Sequence, residues 1–134
     1  MFLRYNLPGI VWGFLIMFIL GIPGDDLPKG YFINIPHLDK LVHAFLFLIF
    51  VLLLIYGYTK QYRFNILNHY SFVLSIISGV LYGGITEILQ GSVFQGRTTD
   101  FFDFLADIAG CFSGLFIALL LRHKFLQSQK LRQL

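Results

Sequence analysis

Three short stretches hold the side chains of this chain that could do chemistry. Asp39, Lys40 and His43 fall within five positions, Glu87 and Gln90 are three apart, and Arg97 is followed by Asp100, Asp103 and Asp107. An imidazole among carboxylates is the composition of an acid–base or phosphoryl-transfer centre. His43 would be its base or nucleophile, oriented by Asp39, with Glu87 and Asp103 as further catalytic candidates. Lys40, Arg97 and His43 are also the types that hold phosphate or carboxylate, Arg through a planar bidentate fork. In that case Glu87, Gln90, Asp103 and Asp107 complete a ligand-binding set. A metal would draw on His43, Glu87, Asp103 and Asp107. No tight metal-ligand spacing and no recognised nucleophile motif is present, so neither metal nor cofactor is expected.

Each group also has a plainer reading. Asp100 and Asp103 follow Thr98 and Thr99 where a helix begins; Thr99 could cap it, and first-turn acids suit the helix dipole. Asp39 fits the start of a helix in the same way. Lys40 can snorkel to headgroups. Glu87 and Arg97 can pair and lock the loop between them. Asp107 lies a turn deeper and needs a partner. His37, His69 and His123 carry no such signal.

The elements that must position these residues follow from composition. Apolar residues make up 57% of 134 residues and charged residues 13%, with a mean hydropathy of +0.74. A soluble domain carries about 25% charged residues, and one this small has too little interior to hide such a sequence. Lipid is the solvent that fits. The sixteen Phe and seven Tyr agree with it, Tyr favouring the wet interface. A hydrocarbon core about 30 Å thick takes about 20 helical residues. Four segments qualify, at about 7–22, 38–58, 71–90 and 100–121. The first accepts Pro8 in its opening turn, and no small-residue cleavage site follows it, so it reads as a retained helix. The expectation is an all-α integral membrane bundle of four transmembrane helices in a single domain, 1–134. Between the spans lie an irregular Pro- and Gly-containing stretch from Pro23 to His37, a short polar link from Thr59 to Tyr70, and a short loop from Gly91 to Thr99 broken by Gly91 and Gly96. The lone Cys111 sits in an apolar run and reads as packing.

Charge sets the orientation. Seven of the ten basic residues lie at the amino end, in the middle loop or in the carboxyl tail, at Arg4, Lys60, Arg63, Arg122, Lys124, Lys130 and Arg132. Four spans put these regions on one side, and basic loops stay in the cytoplasm. Both termini are therefore expected inside. Helix direction then brings Asp39, Lys40, His43, Glu87, Gln90, Asp100, Asp103 and Asp107 to one depth at the outer face. Steps of three and four keep them on single helix faces, which turn inward because ionised groups facing hydrocarbon are costly. Gly79-x-x-x-Gly83 and Gly110-x-x-x-Gly114 are small-residue seams for close helix packing, equally able to serve a homo-oligomer.

These residues together resemble a family signature. Glu87-x-x-Gln90, Gly96-Arg97, Asp103, Asp107, Gly110 and Gly114, preceded by Asp39-Lys40-x-x-His43, are similar to the pattern of the VanZ-like membrane proteins, from Leu38 to about Leu121. At Asp107 the family often has Asn, so this chain adds a negative charge. The resemblance implies a multi-pass protein of the bacterial inner membrane. The family is named for a protein linked to resistance to the glycopeptide teicoplanin.

Three functions are open to such a cluster. It can bind an anionic or amphipathic ligand at the outer leaflet: a membrane lipid, a lipid-linked cell-wall intermediate or a glycopeptide. It can be a membrane-embedded enzyme acting on such a lipid. It can be a structural clasp or partner-binding element. Proton-coupled transport is disfavoured, because transporters place their sites near the midplane and the helix centres here are nearly free of ionisable groups. No nucleic-acid partner is expected.

Overall fold

The computed structural model describes residues 2–22, 37–94 and 98–132, with side chains up to residue 123. Among them the fold is helical throughout: α1 (Phe2–Leu20), α2 (Leu38–Thr59), α3 (Asn65–His69), α4 (Ser71–Ser92) and α5 (Phe101–Arg132). α1, α2, α4 and the stretch Phe101–His123 of α5 are each long and apolar enough to cross a membrane. Most of the Pro23–His37 stretch, Gly96, Arg97 and the side chains of Lys124, Lys130 and Arg132 lie outside the described residues, and so does any Glu87–Arg97 pair.

The bundle is turned inside out relative to a soluble one. Phe14, Phe18, Phe45, Ile88, Phe112 and Phe116 are all more than half exposed, while His43, Ser75, Thr86, Glu87 and Asp107 are buried. A hydrocarbon solvent favours both placements, since apolar side chains lose nothing there and polar ones must find partners inside.

α2 is the hub, packing on α1, α4 and, most extensively, α5. Its inward face supplies Leu46, Phe47, Phe50, Val51 and Ile55 to the core, which Ile16, Leu20 and Cys111 complete. The Phe50 and Tyr82 rings meet at 5.1 Å. The Tyr82 hydroxyl donates to the Gly13 carbonyl at 2.6 Å, and the Trp12 indole donates to the Leu46 carbonyl at 2.9 Å. Both polar tips thereby reach backbone acceptors across helix seams.

Glycine lets α5 approach so closely. A Cβ at Gly110 would overlap the Ala44 carbonyl, and one at Gly114 would lie 2.6 Å from the Leu48 oxygen. On the other flank of α5, a Cβ at Gly79 would lie 2.8 Å from Cys111 Sγ, and one at Gly83 would lie 3.1 Å from Asp107 Oδ2.

Several boundaries depart from the sequence expectation. α1 begins at Phe2 and ends at Leu20 rather than running 7–22, so Pro8 sits inside the helix. The turn before Pro8 is tied down, because the Phe2 carbonyl accepts from both Asn6 Nδ2 and Gln61 Nε2. The polar link contains the short helix α3, whose Asn68 amide donates to the Thr59 carbonyl at 2.6 Å. α4 runs through Gly91 to Ser92. Gly91 does not break it but makes room for the returning chain, since a Cβ there would overlap Thr99 Oγ1. α5 starts at Phe101 and continues past Leu121 to Arg132, as its polar tail has helix-favouring residues and no Pro or Gly to stop it.

Candidate functional site

Three helix ends meet at one end of the bundle. His43 is the sixth residue of α2, Glu87 stands five residues before the end of α4, and Asp103 and Asp107 lie in the first two turns of α5. At 1.5 Å per residue, His43, Glu87 and Asp107 sit about 7 to 9 Å in from those ends. His43 and Asp107 are fully buried, and Glu87 and Asp103 are 4% and 6% exposed.

The inner contacts centre on His43. Its Nδ1 shares a 2.9 Å hydrogen bond with Asp107 Oδ1 and lies 3.9 Å from Glu87 Oε1. Asp107 fits there because Gly83 opposite has no side chain. Glu87 Oε2 accepts the Asp100 N–H at 3.2 Å, and its backbone carbonyl accepts Thr99 Oγ1 at 3.3 Å, joining the end of α4 to the start of α5.

The rim is built on Lys40. Its ammonium donates to Asp103 Oδ1 at 2.8 Å and to Asp100 Oδ2 at 3.0 Å, binding α2 to α5. Asp100 is the cap of α5: its Oδ1 accepts the Phe102 N–H at 2.9 Å, and its carbonyl accepts from Asp103 and Phe104. The role considered for Thr99 therefore falls to its neighbour. The Lys40 ammonium, with help from the Phe102 N–H, holds the Asp100 carboxyl below its ordinary range.

The fold thus brings Lys40, His43, Glu87, Asp103 and Asp107 together. Gln90 does not join them. Its amide donates to the Leu20 carbonyl at 3.1 Å and ties α4 to the end of α1. Arg97 lies outside the described residues. Asp39 and Asp100 belong to the cluster as well. The Asp39–His43 spacing of four and the acid directly before an apolar run were their signals in the sequence.

Two features set what the cluster can do. First, acid prevails: five carboxylates (Asp39, Glu87, Asp100, Asp103 and Asp107) face one ammonium and one imidazole among the described residues. Second, three buried atoms have no hydrogen-bond partner: His43 Nε2, Glu87 Oε1 and Asp107 Oδ2. Each such orphan costs about 1–3 kcal/mol. Two triads of donor atoms result, each with all three atoms within 4.8 Å: a buried one of His43, Glu87 and Asp107, and one nearer the helix ends of Asp39, His43 and Asp103. Such groups can hold a cation, exchange a proton through an oriented imidazole, or hydrogen-bond a polar headgroup. A cavity of about 490 Å³ opens at the opposite end of the bundle, beside Thr59, Asn68, Phe72 and Arg122. No family model matches this chain, and neither does any curated protein or solved structure.

Proposed function

We propose that this chain is a VanZ-like integral membrane protein of the bacterial inner membrane, with both termini cytoplasmic, and that its cluster binds the polar head of a cell-envelope amphiphile at the outer face. The basic loops support the orientation, and the motif string from Asp39 to Gly114 supports the family. One observation carries the binding role: charged groups from three helices are buried at one end of an otherwise apolar bundle, with three polar atoms left unpartnered.

Charge balance narrows the ligand. Lys40 is held by two carboxylates, so a bare anion would meet mainly acid. A headgroup bearing hydroxyl or ammonium hydrogens beside its phosphate fits better. Its donors would meet Glu87, Asp103 and Asp107, and its phosphate would meet Lys40 and Arg97. Lipid-linked cell-wall intermediates and lipid-tailed glycopeptides such as teicoplanin have that character. A resistance role would follow from binding the latter.

Native mass spectrometry of the purified protein tests this with three probes: an anionic phospholipid, a polyprenyl-phosphate-linked sugar and teicoplanin. The wild type is expected to retain the sugar lipid or teicoplanin over the phospholipid, and Glu87→Gln and Lys40→Gln are expected to lose it while staying folded. Equal retention by all three proteins counts against the site. Collapse of both variants assigns the cluster to a clasp that holds the bundle.

The hydrogen-bonded His43–Asp107 pair favours one second reading, an enzyme acting on the same lipids. His43 would be the base or nucleophile, positioned by Asp107, with Glu87 and Asp103 as the neighbouring acids. Release of phosphate or sugar from the lipid-linked probe, abolished in His43→Gln, is the expected sign. No turnover with or without divalent cations removes this reading.

A further inference from the structure

We infer that His43, Glu87 and Asp107 form a binding site for one divalent cation of the zinc or manganese class. The inference goes beyond headgroup binding, since it concerns the cluster with no lipid ligand added.

Geometry comes first. His43 Nδ1 lies 2.9 Å from Asp107 Oδ1 and 3.9 Å from Glu87 Oε1, and each of the three residues offers one ligand atom within 4.8 Å of the other two. A cation held at about 2.1 Å places its ligands about 3.4 Å apart in a zinc tetrahedron and adjacent ligands about 3.0 Å apart in an octahedron. The 2.9 and 3.9 Å distances bracket those separations, so small side-chain shifts would seat the ion.

An independent observation points the same way. Glu87 Oε1 is the oxygen turned toward His43, and it has no hydrogen-bond partner although the residue is 4% exposed. Asp107 Oδ2, which faces Gly83, and His43 Nε2, on the far side of the ring, are unpartnered as well but lie outside this ligand set. An ionised carboxylate lacks hydrogens to donate, so two of them crowded around one imidazole need a proton or a cation among them, and a divalent cation balances both at once. With a neutral imidazole, two carboxylates offset the double charge of the ion, and the buried unit becomes neutral.

The ligands are also braced. Glu87 Oε2 is fixed by the Asp100 N–H, and Gly83 gives Asp107 its space. Such outer partners orient metal ligands. The donor set names the class of ion. Mixed imidazole and carboxylate suits zinc or manganese, whereas calcium and magnesium prefer oxygen alone. Cys111, one turn below Asp107, packs against Gly79 and supplies no ligand. The second triad, Asp39, His43 and Asp103, lies nearer the helix ends and includes the exposed Asp39. Its Asp103 is already engaged by Lys40, together with Asp100, which leaves the buried triad as the better cation site.

The experiment uses the full chain in detergent, stripped with chelator, then given Zn²⁺ or Mn²⁺ and desalted, with Mg²⁺ and Ca²⁺ as controls. Elemental analysis should find close to one zinc or manganese per chain, and the melting midpoint should rise saturably with that ion. Asp107→Asn and the near-isosteric Glu87→Gln should each weaken binding at least tenfold. A wild type that keeps neither ion overturns the inference and leaves the cluster a proton-sharing one, a result obtained even if both variants fail to fold. Binding undiminished in either folded variant overturns it too, by assigning the ion to surface histidines such as His69 or His123.

Discussion

The two ends of the bundle solve the burial of polar groups differently. At the end formed by the start of α1 and the finish of α2, the buried groups are amides and hydroxyls that donate to helix carbonyls. Asn6 reaches Phe2, Gln61 reaches Phe2 and Gly57, Ser75 reaches Ser71, and the half-buried Thr59 reaches Ile55. One acceptor there, Asn6 Oδ1, has no partner. At the other end Thr86 and Gln90 donate to carbonyls in the same way, but carboxylates and an imidazole are buried beside them, and three of their atoms go without. The cause is the direction of hydrogen bonding. A helix carbonyl can accept a second hydrogen from a side chain one turn on. Helix N–H groups, by contrast, are already used except in the first turn. Asp100 stands at a helix start and finds the Phe102 N–H. Asp107 stands two turns in and finds only His43. A cluster built this way costs the fold stability.

The largest test of the contrast is at the glycines. Gly110→Ala drives a methyl into the backbone carbonyl of Ala44, which cannot step aside. The expected cost is about 3 kcal/mol, read as loss of the monodisperse peak in detergent. Gly57→Ala, at the other end, meets first the side chain of Asn6, which must give up its place, and then the Tyr5 carbonyl at 3.0 Å, and should cost less, about 1–2 kcal/mol. Equal losses would erase the distinction between a rigid seam and a yielding one.

Next in size is replacement of the charges. With cations removed, the triple variant His43→Leu, Glu87→Leu, Asp107→Leu is expected to match or exceed the wild type in stability, by up to about 2 kcal/mol, because apolar packing replaces unpaired buried charge. Gln61→Leu, which only loses hydrogen bonds, should cost about 1 kcal/mol. The reverse ranking would make the acidic end the source of stability.

The smallest effect is in pH. The carboxyl of Asp100 is held below its ordinary value, so its contribution is present above about pH 4 and disappears as acid protonates it in the fold. Melting of the wild type should be unaffected by Asp100 between pH 5 and 8, in the range where it stays ionised (about one unit or more above the ordinary Asp value), and should fall below it. Asp100→Asn should lose part of that acid sensitivity. An unchanged acid profile would remove Asp100 from the account.

Four helices of spanning length were legible in the sequence because long apolar runs admit little else. Their ends were less so. Pro8 suggested a helix start, yet the tie from Gln61 to Phe2 spans 59 positions and leaves no local mark. The tail of α5 continues on helix propensity after hydrophobicity has stopped. In the site, helix direction alone brought His43, Glu87, Asp103 and Asp107 to a common depth. It did not distinguish Gln90, which turns to α1, or reveal that Lys40 would be engaged by two acids. Those choices depend on how each helix is rotated, and spacing within a helix is silent about its neighbour. Gly83 read as a packing residue, while its place opposite Asp107 depends on a contact across a seam.

Trp12 has a practical consequence. It is the single tryptophan, and its indole is engaged with the Leu46 carbonyl where α1 meets α2. Fluorescence from this protein is therefore an optical gauge of one seam. A blue shift reports α1 peeling away into lipid, where the indole loses its carbonyl partner, while events among the acids of α5 leave the emission unchanged. Pairing that signal with a thermal scan distinguishes partial loosening from global melting without adding any label.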